Sequence, residues 1–224
     1  MLHEIHTIEK ACARVRFREL GRLANNVYCI EDGAGGVIVV DPEYSAELIL
    51  DMAEGAPVSA IFVTHRHADH TGALRALKDA TGAPVYASSV DAPDIEDPRE
   101  PPFGKRPEPC PVDVQLKDGE TIKVGACEWR TMLTPGHTEG SMCYFLDPSL
   151  APQSEERPIL LSGDTLFRGT IGRTDFEGGS MADMAQSMKK LAELPDETLV
   201  LPGHDPMTSI GDERARTIEF YGKL

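Results

Sequence analysis

The stretch Thr64-His65-Arg66-His67-Ala68-Asp69-His70 places four potential metal ligands within six residues. The preceding run, Ser59-Ala60-Ile61-Phe62-Val63, is apolar and partly β-branched, which predicts a buried strand. In extended backbone His65, His67 and Asp69 share one face, and a following turn brings in the last imidazole. A zinc-binding helix would need histidines four residues apart, as in H-E-x-x-H, and that spacing is absent. The stretch therefore predicts a metal-binding loop at a strand end, in preference to a polar loop that is rich in histidine by chance.

Three further predicted strands also end in a ligand-type residue: residues 129–133 before His137, residues 159–161 before Asp164, and residues 199–201 before His204. A single histidine after Pro-Gly is usually a turn residue, so the signal is the repetition of one structural context. Imidazole and carboxylate ligands without thiolate suit zinc, or iron or manganese. Seven ligands exceed the need of one tetrahedral ion, and they divide between two ions about 3.5–4 Å apart that share a carboxylate. Such a pair lowers the pKa of a bridging water, so no serine or cysteine nucleophile is needed.

The rest of the chain alternates between strand and helix patterns. Asp183 takes the capping-box position of a helix that begins at Ser180. The glycine turn at residues 31–35 lacks a phosphate-loop pattern and predicts a hairpin. The order predicts an α/β or α+β fold in a single domain over residues 1–224. The remaining predicted strands cover residues 14–17, 25–30, 36–40, 84–88, 120–124 and 142–146, and the remaining helices cover 45–53, 71–80 and part of 212–224.

Residues 91–111 interrupt this alternation with seven prolines and few apolar side chains. So dense a proline run is incompatible with the interior of a sheet or helix, which predicts a surface loop. Two interpretations stay open for this Pro-rich loop: a solvated connector, or a substrate lid that borders the active site.

Composition narrows the partners and the compartment. A net charge of −15 and a pI near 4.8 argue against nucleic acid and anionic membranes. The N-terminal region is mixed and polar, so we expect neither a signal peptide nor a membrane span. Five cysteines without metal-site spacing suit a reducing cytoplasm. We expect a monomer or small homo-oligomer that acts on a small molecule.

The motif T-H-x-H-x-D-H, followed by P-G-H-T, G-D and G-H, resembles the metallo-β-lactamase-fold hydrolases over residues 25–214. The resemblance implies an αββα sandwich of two mixed β-sheets flanked by helices. It implies two divalent ions, zinc first with iron or manganese as alternatives, and gives Asp69 the added role of orienting the attacking hydroxide. The implied ligands are His65, His67 and His137 for the first ion, Asp69, His70 and His204 for the second, and Asp164 as the bridge.

Residues 163–175 resemble the glyoxalase II and persulfide dioxygenase branch, and residues 202–214 resemble the small bacterial glyoxalase II-like proteins often called YcbL. This resemblance implies a hydrolase of a hydroxyacyl thioester, similar to hydroxyacylglutathione hydrolase. The alternative on the same scaffold is a mononuclear iron persulfide dioxygenase that uses His65, His137 and Asp164. Arg173 either pairs with a substrate carboxylate or braces the loop around Asp175.

Two departures from the family pattern bear on the substrate. Glyoxalase II carries a C-terminal helical region that helps to hold glutathione, and only about twenty residues follow His204 here. We therefore expect no separate C-terminal helical domain and little preference among thiol carriers. Residues 41–43 read Asp-Pro-Glu where Asp-Pro-Gly is common in the superfamily, which is expected to alter the neighbouring loop.

Overall fold

The computed structural model describes residues 4–8, 11–101, 105–147 and 157–224. The first of its two large sheets contains seven strands in sequential order, β1 to β7. The first four strands pair antiparallel, and β4 to β7 pair parallel. These strands are β1 (His6–Ile8), β2 (Val15–Leu20), β3 (Asn25–Glu31), β4 (Val37–Val40), β5 (Val58–Phe62), β6 (Val85–Ser88) and β7 (Val114–Leu116).

The second sheet has six strands in the order β15-β14-β11-β10-β9-β8, and β12 and β13 form a separate short hairpin. Only the pair β11 and β14 is parallel in the second sheet. The strands are β8 (Thr121–Val124), β9 (Cys127–Leu133), β10 (Met142–Leu146), β11 (Ile159–Gly163), β12 (Leu166–Phe167), β13 (Thr170–Ile171), β14 (Leu199–Pro202) and β15 (Thr208–Ser209).

The helices are short, and none in the described ranges is long and apolar enough to cross a bilayer. Serine side chains cap three of them: Ser45 accepts from the Leu48 amide, Ser180 accepts from the Asp183 amide, and Ser209 accepts from the Asp212 amide. The helices are α1 (Ala46–Met52), α2 (Ala68–Thr71), α3 (Leu74–Thr81), α4 (Ala92–Glu96), α5 (Met181–Leu191), α6 (Ile210–Glu213), a π-helix (Arg214–Ile218) and α7 (Glu219–Tyr221).

Alternation along the strands divides the apolar residues into layers. In β4, Ile38 and Val40 join the core between the two sheets, whereas Val37 and Val39 join the core beneath α1 and α3. The inter-sheet core is aromatic: Phe62 stacks on Tyr144 with ring centroids 4.6 Å apart.

The outer helices cover the remaining faces of the sheets. Ile49 of α1 and Leu74 of α3 pack on the first sheet, and Met184 and Met188 of α5 pack on the second. Helix, sheet, sheet and helix layers follow one another. The αββα sandwich that the family resemblance implied is therefore confirmed as the fold.

The prediction of a surface loop for residues 91–111 is partly wrong. The segment contains helix α4, and Pro93 lies in its first turn, where the missing amide breaks no helical hydrogen bond. Asp91, Ile95 and Cys110 are buried, so the segment contributes to the packed interior. Residues 102–104 lie outside the described residues.

The helix predicted at residues 71–80 is divided between α2 and α3. Ala73, at the break, donates its amide to the Pro42 carbonyl at 2.9 Å instead of continuing the helix. The break allows α2 to turn His70 into the interior of the protein, where it is fully buried.

Glu213 is a buried carboxylate that connects the segment after strand β11 with the segment after strand β14. It accepts hydrogen bonds from Thr208, which follows β14, and from the amide of Gly169, in the β12–β13 hairpin. Burial opposes ionisation, but bonds from Arg216, Thr208, Thr217 and Gly169 outweigh it and lower the pKa of Glu213 from 4.5 to about 2.

We expect Glu213→Gln to lower the free energy of unfolding by about 2–3 kcal/mol at pH 7. Because the folded-state pKa is depressed, the stabilisation is present above pH 4.5 and is lost as the pH falls towards 2. The difference in the free energy of unfolding between wild type and variant, measured by urea unfolding at pH 7, 4.5 and 3, should therefore become smaller as the pH falls. A constant difference would show that the charge of Glu213 is not what stabilises this junction.

Candidate metal centre

The ligand-type residues predicted from the sequence all follow strand ends at one side of the sandwich. The parallel strands β11 and β14 pair Gly163 with Pro202, so Asp164 and His204 leave the second sheet side by side. His65, His67, Asp69 and His70 follow β5 of the first sheet, and His137 follows β9 of the second. The two sheets therefore bring all seven residues together.

The first group consists of His65, His67 and His137, whose ligand atoms lie within 4.8 Å of one another. Nδ1 of His67 is 2.8 Å from Nε2 of His137. His65 and His137 are buried, and His67 is half-buried. The three imidazoles thus converge on one point from two different sheets.

The second group consists of Asp69, His70 and His204, again with ligand atoms within 4.8 Å. Nε2 of His204 lies 3.1 Å and Nε2 of His70 lies 3.7 Å from Oδ2 of Asp69. A carboxylate and two imidazoles therefore form a separate convergent set.

Asp164 lies between the two groups. Its Oδ2 is 3.5 Å from Nε2 of His137 and 3.8 Å from Nε2 of His204, and its Oδ1 is 3.3 Å from Nε2 of His70. One carboxylate thus faces both groups. This position is the one that a bridging ligand requires.

The site passes a simple test of fit for metal ions. Nε2 of His65 and Oδ1 of Asp164 are buried and have no hydrogen-bond partner among the described residues. Buried polar atoms without a partner are costly, and a cation would satisfy both lone pairs. Nitrogen and carboxylate donors suit zinc, iron or manganese. The donor set therefore fits divalent ions.

Electrostatics separate the roles of the histidines. Burial, reinforced by neighbouring histidines, lowers the pKa of His65 well below its usual range and that of His67 to about 3. Burial opposes the charged form of His70 too, but the carboxylates of Asp164, Asp41 and Asp69 outweigh it and raise its pKa. His65 and His67 thus offer neutral lone pairs, and His70 is embedded among negative charge.

Asp41 orients both groups and was not among the residues predicted from the sequence. Its carboxylate accepts hydrogen bonds from Nδ1 of His70 at 2.9 Å and from the amide and hydroxyl of Thr64 at 2.8 and 2.7 Å. The Thr64 hydroxyl in turn accepts from Nδ1 of His65 at 3.1 Å. These bonds leave Nε2 of His65 for a ligand, whereas Nε2 of His70 also lies 3.2 Å from the side-chain nitrogen of the buried Asn25. Asp41 follows strand β4, so the same strand-end signal could have found it.

Asp41 also has a strained backbone, with φ at +50°. Ala24, Tyr44 and Asp205, which border the same site, have φ values of +53°, +75° and +66°. Non-glycine residues adopt this region only when the surrounding structure imposes it. Strain is therefore concentrated around the candidate metal centre.

Arg173 lies beside the first group, and its carbonyl accepts from Nδ1 of His137 at 2.7 Å. Its guanidinium pairs with both oxygens of Asp175, at 2.9 and 2.8 Å, and lies 4.1 Å from the ring centroid of Phe176. The Phe176 ring stands edge-on to His67, with centroids 5.8 Å apart. Arg173 thus braces this loop, and a contact with substrate stays a prediction.

Glu43, the residue that departs from the family pattern, lies beside the second group. Its carboxyl fits between Gly21 and Gly72, where an added Cβ would approach its oxygens to 2.2 and 2.5 Å. Burial and the charge of Asp69 raise the pKa of Glu43 to about 7. The Asp-Pro-Glu sequence thus places an additional acidic group near the candidate metal centre.

Gly203 similarly permits the close approach of Asp164. A Cβ at this position would lie 2.4 Å from Oδ1 of Asp164 and 2.5 Å from Cε1 of His70. Any larger residue before His204 would displace one of these two side chains. The Gly-His pair is thus required by packing at the centre of the site.

The chain is similar in sequence and in fold to known proteins. An uncharacterized protein of Aquifex aeolicus (strain VF5) is 37% identical over 210 residues, which cover 92% of this chain and 95% of that protein. The crystal structure of BLEG-1 B3 metallo-beta-lactamase matches with a TM-score of 0.80 at 30% identity, covering 89% of this chain and 95% of that one. The crystal structure of TTHA1623 in a di-iron-bound form matches with a TM-score of 0.69 at 31% identity, covering 89% and 96%.

The family model described as the metallo-beta-lactamase superfamily matches residues 20–204, from the end of β2 to the last of the seven ligand-type residues. This match includes strands β3 to β14, which form most of both large sheets, and every strand end that contributes to the candidate metal centre. The chain belongs to the metallo-beta-lactamase superfamily.

Proposed function

We propose that this protein is a dinuclear metal-dependent hydrolase of a small hydroxyacyl thioester. The observation that carries the proposal is the position of Asp164, within 3.3–3.8 Å of histidines from both groups. A single ion could not use all seven residues, and it would leave several ligand-type side chains in the site without a partner. Two ions use all seven residues.

The chain's own residues supply most of the organisation that this reaction needs. His65, His67 and His137 would hold one ion, Asp69, His70 and His204 the other, and Asp164 both. Divalent ions at these positions would lower the pKa of water and polarise an acyl carbonyl. No cysteine nucleophile takes part, because all five cysteines are buried and burial raises the pKa of every thiol, to about 12 for Cys12.

Asp69 is suited to hold a proton acceptor in place. Its carboxylate is about one quarter exposed and faces the centre of the site. Burial opposes its charged form, but His70 and His204 outweigh this and lower its pKa, so Asp69 is ionised across the neutral range. We propose that it orients the attacking water by accepting its hydrogen bond.

The ions are proposed to be zinc, with iron or manganese as alternatives. The donor set suits all three metals, and TTHA1623, a structural neighbour, binds two irons in its crystal structure. The cytoplasm is proposed as the compartment because the five cysteines are free and lack metal-site spacing, which suits a reducing environment.

We expect little preference among thiol carriers. The Arg173 guanidinium, the nearest cation predicted to hold a substrate carboxylate, is already paired with Asp175. Contacts remote from the acyl carbon are what raise kcat/KM for one carrier over another. The ratio of kcat/KM for lactoylglutathione to that for the lactoyl ester of a smaller thiol should therefore stay below roughly a hundredfold, equivalent to about 2.7 kcal/mol.

The control is Asp175→Asn, which frees Arg173 without touching a proposed ligand. This variant should raise kcat/KM for the glutathione ester and leave the smaller ester unchanged. A wild-type preference above a hundredfold would show a glutathione pocket that Arg173 does not form. Absence of thiol release from every ester would contradict the proposed reaction.

A further inference from the structure

Asp91 is a fully buried carboxylate at the start of the Pro-rich segment, outside the seven ligand-type residues. Its Oδ2 accepts from the backbone amide of Arg66 at 2.9 Å and from the hydroxyl of Thr138 at 2.8 Å. Its Oδ1 accepts from Nη1 of Arg66 at 2.7 Å. A single side chain therefore contacts two separate loops.

Those two loops carry the first group of ligand-type residues, His65, His67 and His137, which we call the three-histidine group. Arg66 lies between His65 and His67, and Thr138 directly follows His137. Because Asp91 binds a main-chain amide of the first loop, it fixes the backbone there and not merely a side chain. The separation between His137 and the other two histidines is thus set through one carboxylate.

The surroundings of Asp91 hold its side chain in one position. Its own amide donates to the Ser88 hydroxyl at 3.1 Å, and Gly140 lies so close that an added Cβ would stand 2.4 Å from Oδ1. The Arg66 guanidinium, only 11% exposed, supplies the compensating charge. Every contact leaves Asp91 little freedom to move.

Arg66 extends the junction to a third loop. Its Nη2 donates to the Glu177 carbonyl at 3.0 Å, in the segment whose Arg173 carbonyl orients His137. The contacts that orient the histidines of the second group do not include Asp91 or Arg66, although one of them, Asp41, also reaches His65 through Thr64. Asp41 accepts from Nδ1 of His70, and the Leu23 carbonyl accepts from Nδ1 of His204.

We propose that Asp91 is a positioning residue for the three-histidine group, and that it sets the affinity of this group for its ion without affecting the second group. The inference rests on the proposed function, since it assumes that the three histidines bind a metal. It identifies the Pro-rich segment as part of the support of the metal centre.

The test measures zinc affinity for each group separately, by competition with a chelator and without substrate. In protein that carries Asp69→Ala, the measured zinc affinity is that of the three-histidine group. In protein that carries His67→Ala, it is that of the second group. In the first background we expect Asp91→Asn to weaken zinc binding roughly 10- to 100-fold, the usual effect of losing a partner that orients a ligand. In the second background the affinity should change less than about threefold.

Two controls separate positioning from a general loss of stability. Asp94→Asn removes another carboxylate beside Arg66, 3.3 Å from its Nε, and it should leave both affinities unchanged because Asp94 pairs with arginine side chains. Thr138→Val removes the hydroxyl that donates to Asp91 and that also lies 2.8 Å from the Ser141 hydroxyl within the second loop, and it should weaken zinc binding by the three-histidine group. Thr138→Ser keeps the hydroxyl and should restore the affinity. The Thr138 pair also keeps the test decisive if Asp91→Asn does not fold.

The inference would be overturned if Asp91→Asn weakened zinc binding equally in both backgrounds, or if it did not weaken zinc binding in the Asp69→Ala background. Identical zinc affinities for Thr138→Val and Thr138→Ser would overturn it as well. Wild-type protein that binds zinc but cleaves no thioester would contradict the proposed reaction alone, because the affinity measurement tests Asp91 independently of any substrate.

Discussion

Asp164→Ala should abolish hydrolysis, with kcat/KM at least about a thousandfold below wild type, a loss of roughly 4 kcal/mol. The carboxylate lies within 4 Å of three histidines drawn from both groups, and no other described carboxylate is paired with both His70 and His137. Its removal leaves positive charge from two ions without a shared neutralising group. We therefore expect weaker binding of both ions, measured by elemental analysis after dialysis.

The matched control is Asp79→Ala, which removes an exposed carboxylate of α3 that forms an ion pair with Arg75 one helical turn away. A surface pair of this kind contributes little, so activity and metal content should stay at wild-type values. Near-wild-type turnover by Asp164→Ala, with both ions bound, would show that the assignment of the ligands is wrong.

Asp69→Ala should retain one ion and lose about a hundredfold in kcat, about 2.7 kcal/mol. The three-histidine group contains no atom of Asp69, whereas the second group loses its only carboxylate. The reaction also loses the acceptor that we propose orients the attacking water. Steady-state kinetics with saturating metal and elemental analysis measure these two effects separately.

Asp69→Asn is the informative partner of this variant. The amide keeps an oxygen that can serve as a ligand in the place of Oδ2 of Asp69, which lies 3.1 Å from Nε2 of His204, but it lacks the negative charge. We expect it to retain more of the second ion than Asp69→Ala while staying equally slow. If both variants matched wild type in rate, Asp69 would have no part in the chemistry.

Much of the fold follows from local sequence patterns. The hairpin of β3 and β4 is predictable because strands of β-branched residues flank a glycine turn, and the two strands do pair antiparallel. The short strands β1, β7, β12, β13 and β15 were missed, because two or three residues carry too little periodicity. The four-layer arrangement came only from the family resemblance, since strand order in the sheets depends on contacts far apart in the chain.

The residues of the site were predictable where a ligand-type side chain follows the end of a predicted strand. Seven ligand-type residues stood out because each follows an apolar strand, and the structure brings all seven together. Asp91 gave no such signal, because it lies beside prolines whose density predicted a surface loop. Its importance depends on Arg66 and Thr138, which lie 25 residues before it and 47 residues after it. Only the tertiary fold reveals that contact.

The most direct test of a dinuclear hydrolase is the number of ions per chain in the active protein. Protein reconstituted with excess zinc, freed of loosely bound metal and assayed for thiol release from lactoylglutathione, should contain about two ions per chain and lose activity as they are removed. One firmly bound iron per chain, with oxygen uptake and no thiol release, would contradict the two-ion hydrolase and favour the persulfide dioxygenase alternative.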